Sequence, residues 1–216
     1  NPFHVLIIDD NSPDGTAKIV KKLQKEFPEQ LFLLQREGKL GLGTAYIAGF
    51  KWAIEKQYDF IFEMDADFSH NPKDLLHLYA ACSEKGADVS IGSRYIKGIN
   101  VVNWPLGRVL MSYFASFYVR VITGMKVADT TAGFVCYRRQ VLEHLNLDAV
   151  KFKGYAFQIE MKFSAYKSGF TIKEVPIIFI NRELGVSKMN SSIFGEAIWG
   201  VIQLKWNSIF HPYKKR

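Results

Sequence analysis

The feature that most constrains this chain is a strict alternation of short apolar runs with stretches of helical spacing. Phe3–Asp9 reads as a strand and is followed by the turn Asn11-Ser-Pro-Asp-Gly15; Ile19, Val20, Leu23 and Phe27 then recur at helical intervals. Leu31–Gln35 is a second strand, Gly41–Lys56 a helix opened by glycine, and Asp59–Asp65 a third strand. Asn71-Pro72 starts another helix, which Gly86 closes, and Asp88–Ser93 is the next strand. Strands alternating with helices of this length predict an α/β fold with a mostly parallel sheet covered on both faces. In such sheets ligands bind at the carboxyl ends of the strands. Asp9-Asp10, Asp65/Asp67 and Arg94 all fall at such ends, which makes them the first candidates for a site.

After Arg94 the alternation breaks. Residues 101–125 are long and apolar, yet carry Arg108 and Arg120. A strand is predicted around Gly133–Tyr137, a helix over Phe157–Lys167, a strand over Thr171–Pro176 and a last helix from about Ser191 to Trp206. With 216 residues and no linker, repeat or low-complexity segment, the chain is expected to form one domain over 1–190, with 191–216 a C-terminal amphipathic helix and basic tail belonging to it. Cys82 and Cys136 are too few for a disulfide framework and read as reduced core thiols.

A formal charge of +7 favours an anionic partner. No repeated aromatic-basic pattern marks a nucleic-acid platform, so phosphate ligands and acidic membrane surfaces remain. No signal sequence opens the chain and no uncharged apolar stretch is long enough to span a bilayer, which predicts the cytoplasm or the cytoplasmic face of a membrane.

Asp65-Ala-Asp67 carries the sharpest chemistry. Two carboxylates one residue apart repel each other, and either a solvated turn or a divalent cation resolves the conflict. A response-regulator receiver would also combine an acidic pair after the first strand with an aspartate after the third. That reading needs a hydroxyl residue ending the next strand and a later Lys-Pro; the strand ends Gly92-Ser93-Arg94 and no Lys-Pro follows.

The full set of motifs, in order, is Asp9-Asp-Asn-Ser-Pro-Asp-Gly-Thr16, Gly41-Leu-Gly-Thr-Ala45, Asp65-Ala-Asp67, Gly92-Ser-Arg94, Asp129-Thr-Thr-Ala-Gly-Phe134 and Asn181-Arg-Glu-Leu-Gly-Val-Ser-Lys188. From Phe3 to about Met189 this resembles the family-2 (GT-A) glycosyltransferases, and within them the dolichyl- or polyprenyl-phosphate mannosyltransferases. The resemblance implies a Rossmann-like GT-A domain that transfers mannose from GDP-mannose to a polyprenyl phosphate with inversion. Asp65 and Asp67 would then hold Mg²⁺ or Mn²⁺ on the donor diphosphate, and Asp10 would contact the nucleoside. Ser69 stands where some members place an amide near the metal, which puts a third protein ligand in doubt, and His70 reads as a turn or helix-start residue. Arg94 and Arg108 would clamp the acceptor phosphate, as bidentate guanidinium suits. Arg182, Ser187 and Lys188 would close over the donor, with Asp67, Arg94, Arg108 and Arg182 the catalytic set. Asp129 and Gln158 are placed near the sugar, with buried structural roles as the alternative.

The acceptor is a lipid, so membrane contact is expected. Residues 101–125 mix Trp104, Tyr113, Phe114, Phe117 and Tyr118 with arginines as an interfacial helix does, and a membrane partner subunit would serve equally. The family also begins with an earlier strand that holds the nucleoside, and Phe3–Asp9 corresponds to its second strand. The sheet is therefore expected to lack an interior strand and to bind donor weakly. Other readings are a UDP-sugar-dependent glucosyl- or aminosugar transferase, a catalytically idle membrane-associated binding subunit, and a sugar-1-phosphate nucleotidyltransferase. The paired carboxylates with the arginine set argue against the idle subunit, and Arg94, Arg108 and the 181–188 loop together argue against the nucleotidyltransferase.

Overall fold

The computed structural model describes residues 3–154, 156–181, 191–210 and 213–216, with backbone alone for 191–197. Its first half follows the alternation: β1 Val5–Asp9, α1 Thr16–Gln24, β2 Leu31–Gln35, α2 Leu42–Glu55, β3 Phe60–Glu63, α3 Asp74–Ser83 and β4 Val89–Ser93. The second half adds β5 Val101–Val102, α4 Leu106–Thr123, β6 Val135–Arg138, α5 Arg139–His144, α6 Ala156–Ser168, β7 Ile172–Pro176, β8 Phe179–Ile180 and α7 Ser191–Phe210.

β1 and β2 pair in parallel from Val5↔Leu31 to Asp9↔Gln35, so the two strands end level. A separate four-stranded sheet has the order β3-β6-β4-β7. There β4 and β7 are parallel, whereas β6 runs antiparallel to both β3 and β4. The sheet is thus mixed: the sequence pattern marked β6 as a strand but carried no information on its direction. The reversal matters for the site. An antiparallel strand presents its amino end where its neighbours present their carboxyl ends, so the segment 129–133 before β6 joins Asp65, Asp67 and Arg94.

The break between the sheets falls between β1 and β3. α2 packs on both β1 and β3, and the ring of Phe3 meets that of Phe62 edge-on with centroids 5.6 Å apart. Close packing of α2 against the segment entering α6 explains the glycines of 41–43. Gly41 has φ +106°, and a Cβ on Gly43 would lie 2.7 Å from the Phe152 carbonyl oxygen and 2.8 Å from the Phe157 ring.

Residues 101–125 do not form one helix. β5 pairs with β8, Asn103 turns the chain with φ 59°, and α4 starts only after Pro105. At the centre lies α6, buried on nearly every side, with Phe157, Met161 and Phe163 in the main core beside Phe50 and Tyr137. A helix buried all round is normally apolar all round. α6 instead carries buried Gln158, Glu160 and Lys162, so each must find partners inside the protein. Cys82 on α3 and Cys136 on β6 are both buried and free, as the sequence predicts.

Candidate active site

A cavity of about 520 Å³ opens at the carboxyl edge of the four-stranded sheet. Its polar end is formed by Asp65, Asp67, His70, Arg94, Arg108 and Gln158; its other end runs between α4 and α7 past Met111, Phe114, Tyr118, Ile198 and Val201.

Asp65 and Asp67 follow β3 directly. Asp65 Oδ1 accepts a hydrogen bond from the Tyr46 hydroxyl at 3.0 Å. Burial, and then the charges of Asp65 and Glu63, push the Tyr46 phenol well above its usual range, so it remains a donor. Asp67 Oδ1 accepts from the Ser69 backbone N–H at 3.1 Å and from the Ser69 hydroxyl. Ser69 therefore braces Asp67, and its burial explains why it can do so. Phe68, between them, takes the left-handed conformation with φ 62°, an arrangement that costs a non-glycine residue about 1–2 kcal/mol and that the turn imposes. Two hard oxygen donors on one wall suit Mg²⁺ or Mn²⁺, which binds through one or two carboxylates and fills its other positions from phosphate and water. Among the described residues no group of three His, Cys, Asp or Glu converges.

Arg94 and Asp129 form a buried ion pair. Arg94 Nε donates to Asp129 Oδ2 at 2.7 Å and Nη2 to Oδ1 at 2.6 Å; Nη2 also reaches Thr131 Oγ1 at 2.9 Å. Burial pushes the Asp129 carboxyl up, but the Arg94 charge and its hydrogen bonds prevail and hold it below the usual range. Arg94 lies on the cavity wall; Asp129 lies behind it and does not. Arg108, in the first turn of α4, stacks over Trp104 with its guanidinium carbon 4.1 Å from the ring centroid and donates to Asn181 Oδ1 at 3.0 Å. The two arginines thus share one aromatic wall, since Arg94 also lies 5.5 Å from the Trp104 centroid and 5.6 Å from that of Phe179.

Beneath the carboxylates lies a buried polar network. Lys162 Nζ donates to the Ala132 carbonyl at 2.6 Å, and to the backbone and side-chain oxygens of Gln158 at 3.1 Å each. With Oε1 turned to Lys162, the Gln158 amide nitrogen faces the other way, toward Glu63 and Asp65. Burial pushes Glu63 up to about 8 against the pull of Lys162, and burial brings Lys162 down to about 8.

Asp10 lies beyond the cavity, at the end of β1. Arg36, which follows β2, holds it with Nε–Oδ1 at 2.6 Å and Nη2–Oδ2 at 2.7 Å, and also reaches Thr44 Oγ1 at 3.0 Å. The following turn is capped by Asp9, whose Oδ2 accepts from the Ser12 N–H at 3.2 Å. Arg182, Ser187 and Lys188 lie outside the described residues. Sequence reasoning missed Arg36, Tyr46 and Lys162. Arg36 alone left a signal, because two parallel strands ending level place residues 10 and 36 side by side with opposite charges.

The fold has solved counterparts. Glucosyl-3-phosphoglycerate synthase from Mycobacterium tuberculosis in complex with phosphoglyceric acid superposes with a TM-score of 0.63 at 16% identity, over 97% of this chain and 70% of that one. The same enzyme with Mn²⁺, uridine-diphosphate and glucosyl-3-phosphoglycerate gives 0.62 at 17%, over 95% and 68%. The architecture is that of a GT-A glycosyltransferase. The sequence model of glycosyl transferase family 2 matches residues 1–145, and the chain belongs to that family. Polyprenol monophosphomannose synthase of Mycolicibacterium smegmatis is 46% identical over 200 residues, covering 93% of this chain and 75% of that protein. Undecaprenyl-phosphate mannosyltransferase of Micrococcus luteus is 44% identical over 210 residues, covering 95% and 85%.

Proposed function

We propose that this chain transfers mannose from GDP-mannose to a polyprenyl phosphate, with inversion, as a single catalytic domain resting on the cytoplasmic face of a membrane. The observation that carries the reading is the two-ended cavity: paired carboxylates and two arginines at one end, an apolar passage between α4 and α7 at the other. A ligand that fills both ends is an amphiphile with a phosphate head. The names of the two curated relatives, a polyprenol monophosphomannose synthase and an undecaprenyl-phosphate mannosyltransferase, support mannose as the sugar and a polyprenyl phosphate as the acceptor.

In this reading Asp65 and Asp67 hold Mg²⁺ or Mn²⁺ against the donor diphosphate, and the bound ion supplies positive charge to the departing group. Asp10, oriented by Arg36, contacts the nucleoside, and Gln158 faces the sugar. Asp129 fixes the Arg94 guanidinium, while Arg94 and Arg108 position the acceptor phosphate. Arg182, Ser187 and Lys188 are assigned to the donor diphosphate on the motif alone. A phosphate monoester has its second pKa near about 6, so its oxygen is largely ionised at neutral pH and attacks without a general base. The bond from that oxygen to the anomeric carbon forms as the bond from the anomeric carbon to the β-phosphate oxygen breaks, and GDP leaves with the electron pair.

The test is transfer of label from radioactive GDP-mannose or UDP-glucose into a short-chain polyprenyl phosphate, with and without Mn²⁺. Metal-dependent label from GDP-mannose, reduced at least about a hundredfold in Asp67→Ala, is the expected result. Label from UDP-glucose alone would change the donor, and none from either would sink the reading.

A further inference from the structure

His70 shares the cavity wall with Asp67 and Arg94 but has no part in the mechanism above. A residue that merely started α3 would leave its ring in water. His70 is instead 6% exposed, with its ring 4.9 Å from Phe134 and 5.1 Å from Phe179, centroid to centroid. Its Nδ1 is sealed from solvent and has no hydrogen-bond partner among the described residues. Burial lowers its pKa to about 4, although the nearby Asp67 pulls the other way, so the ring is neutral and carries a single hydrogen. A buried N–H without an acceptor is the rarer and costlier orphan, whereas a bare lone pair is better tolerated. The pattern therefore assigns the hydrogen to Nε2, which is not among the sealed atoms.

The aromatic wall shows what that donor faces. Phe179 touches the His70 ring, the Arg94 guanidinium and, at 5.3 Å, the Trp104 ring, on which Arg108 is stacked. Two guanidinium groups and one imidazole Nε2–H thus line one surface, the Nδ1 lone pair being sealed away, and a cluster of donors calls for an oxyanion. We propose that His70 donates its Nε2 hydrogen to a non-bridging oxygen of the acceptor phosphate, completing a clamp with Arg94 and Arg108; this rests on the acceptor site assigned above. A neutral third donor suits the task. Two guanidinium groups already balance a phosphate dianion, and a third positive charge would hold back the lone pair that must attack.

The experiment is calorimetric binding of citronellyl phosphate, a short prenyl phosphate, and of citronellol, its phosphate-free parent, to the full-length protein. His70→Phe keeps an aromatic ring without the donor, and His70→Gln keeps a donor at similar reach. A hydrogen bond to a charged group predicts about tenfold or more weaker phosphate binding in His70→Phe, and affinity within about threefold of the parent in His70→Gln. Citronellol should bind all forms alike. Undiminished phosphate binding by His70→Phe, or an equal loss for phosphate and alcohol, would overturn the proposal. Arg108→Ala separates the two levels: if it too binds the phosphate normally, the acceptor site itself is misassigned; if it alone weakens binding, only His70 is. Should His70→Phe fail to fold, ¹⁵N signals of the unmutated imidazole decide. The Nε2–H tautomer with an Nε2 shift on adding citronellyl phosphate supports the proposal, and an Nδ1–H tautomer or no shift overturns it.

Discussion

Asp129 lies fully buried against the largely buried Arg94, so its carboxylate has no water to fall back on. Breaking such a pair from one side leaves the other charge uncompensated. Asp129→Asn should destabilise the protein by about 3–5 kcal/mol in urea unfolding, and a second change, Arg94→Met, should restore part of that stability while leaving transfer abolished. Lys162 poses the opposite problem, a cation whose burial disfavours its own charge. Its pKa falls from 10.5 unfolded to about 8 folded, so between these values the folded chain holds fewer protons than the unfolded one. The resulting stability is present above about pH 10.5 and is lost as pH falls through about 8. Lys162→Met should lack this rise between pH 8 and 10.5. At pH 7 it should also cost about 2–4 kcal/mol, because the Ala132 carbonyl and the Gln158 oxygens lose their donor.

Among the helices, α4 stands out for what it leaves uncovered. Leu110, Phe114, Phe117 and Val121 recur at spacings of four, three and four, and all are exposed. On α7, Trp199, Ile202, Trp206 and Ile209 recur at spacings of three, four and three and are exposed too, and the two helices pack together. Two adjoining apolar stripes on a protein of charge +7 fit the surface of an anionic bilayer. Phe114→Ser with Phe117→Ser should lower binding to vesicles containing anionic lipid by about tenfold or more in flotation, with an unchanged melting temperature because both rings are exposed in the folded protein. Elements of this kind were legible because their signal is local. β2 has the bounds read from the sequence, Leu31–Gln35, and α2, α6 and β7 lie within one residue of that reading at each end. What stayed hidden depended on distant partners. The direction of β6 is set by β3 and β4, and the placement of Asp129 behind Arg94 depends on that direction. The pairing of Lys162 with the Gln158 amide needed α6 to be buried all round, which its mixed polar and apolar sequence does not suggest.

At the scale of the molecule, the carboxyl edge of the sheet gathers the charged groups while α4 and α7 carry the apolar surface, and the cavity joins the two. The chain has four tryptophans, and this arrangement separates them. Trp52 packs beside Phe32 and Tyr58; Trp199 and Trp206 stand exposed on α7; Trp104 lies in the cavity wall under the Arg108 guanidinium. A cation resting on an indole face alters its emission, and a ligand that draws the cation away reverses the effect. Citronellyl phosphate should therefore change the intrinsic fluorescence of the protein, and Trp104→Phe should abolish that change while leaving intact the blue shift on adding vesicles. The wall that holds the two arginines thus also gives the molecule a built-in optical readout, in which occupancy of the cavity and contact with a lipid surface are reported by different chromophores.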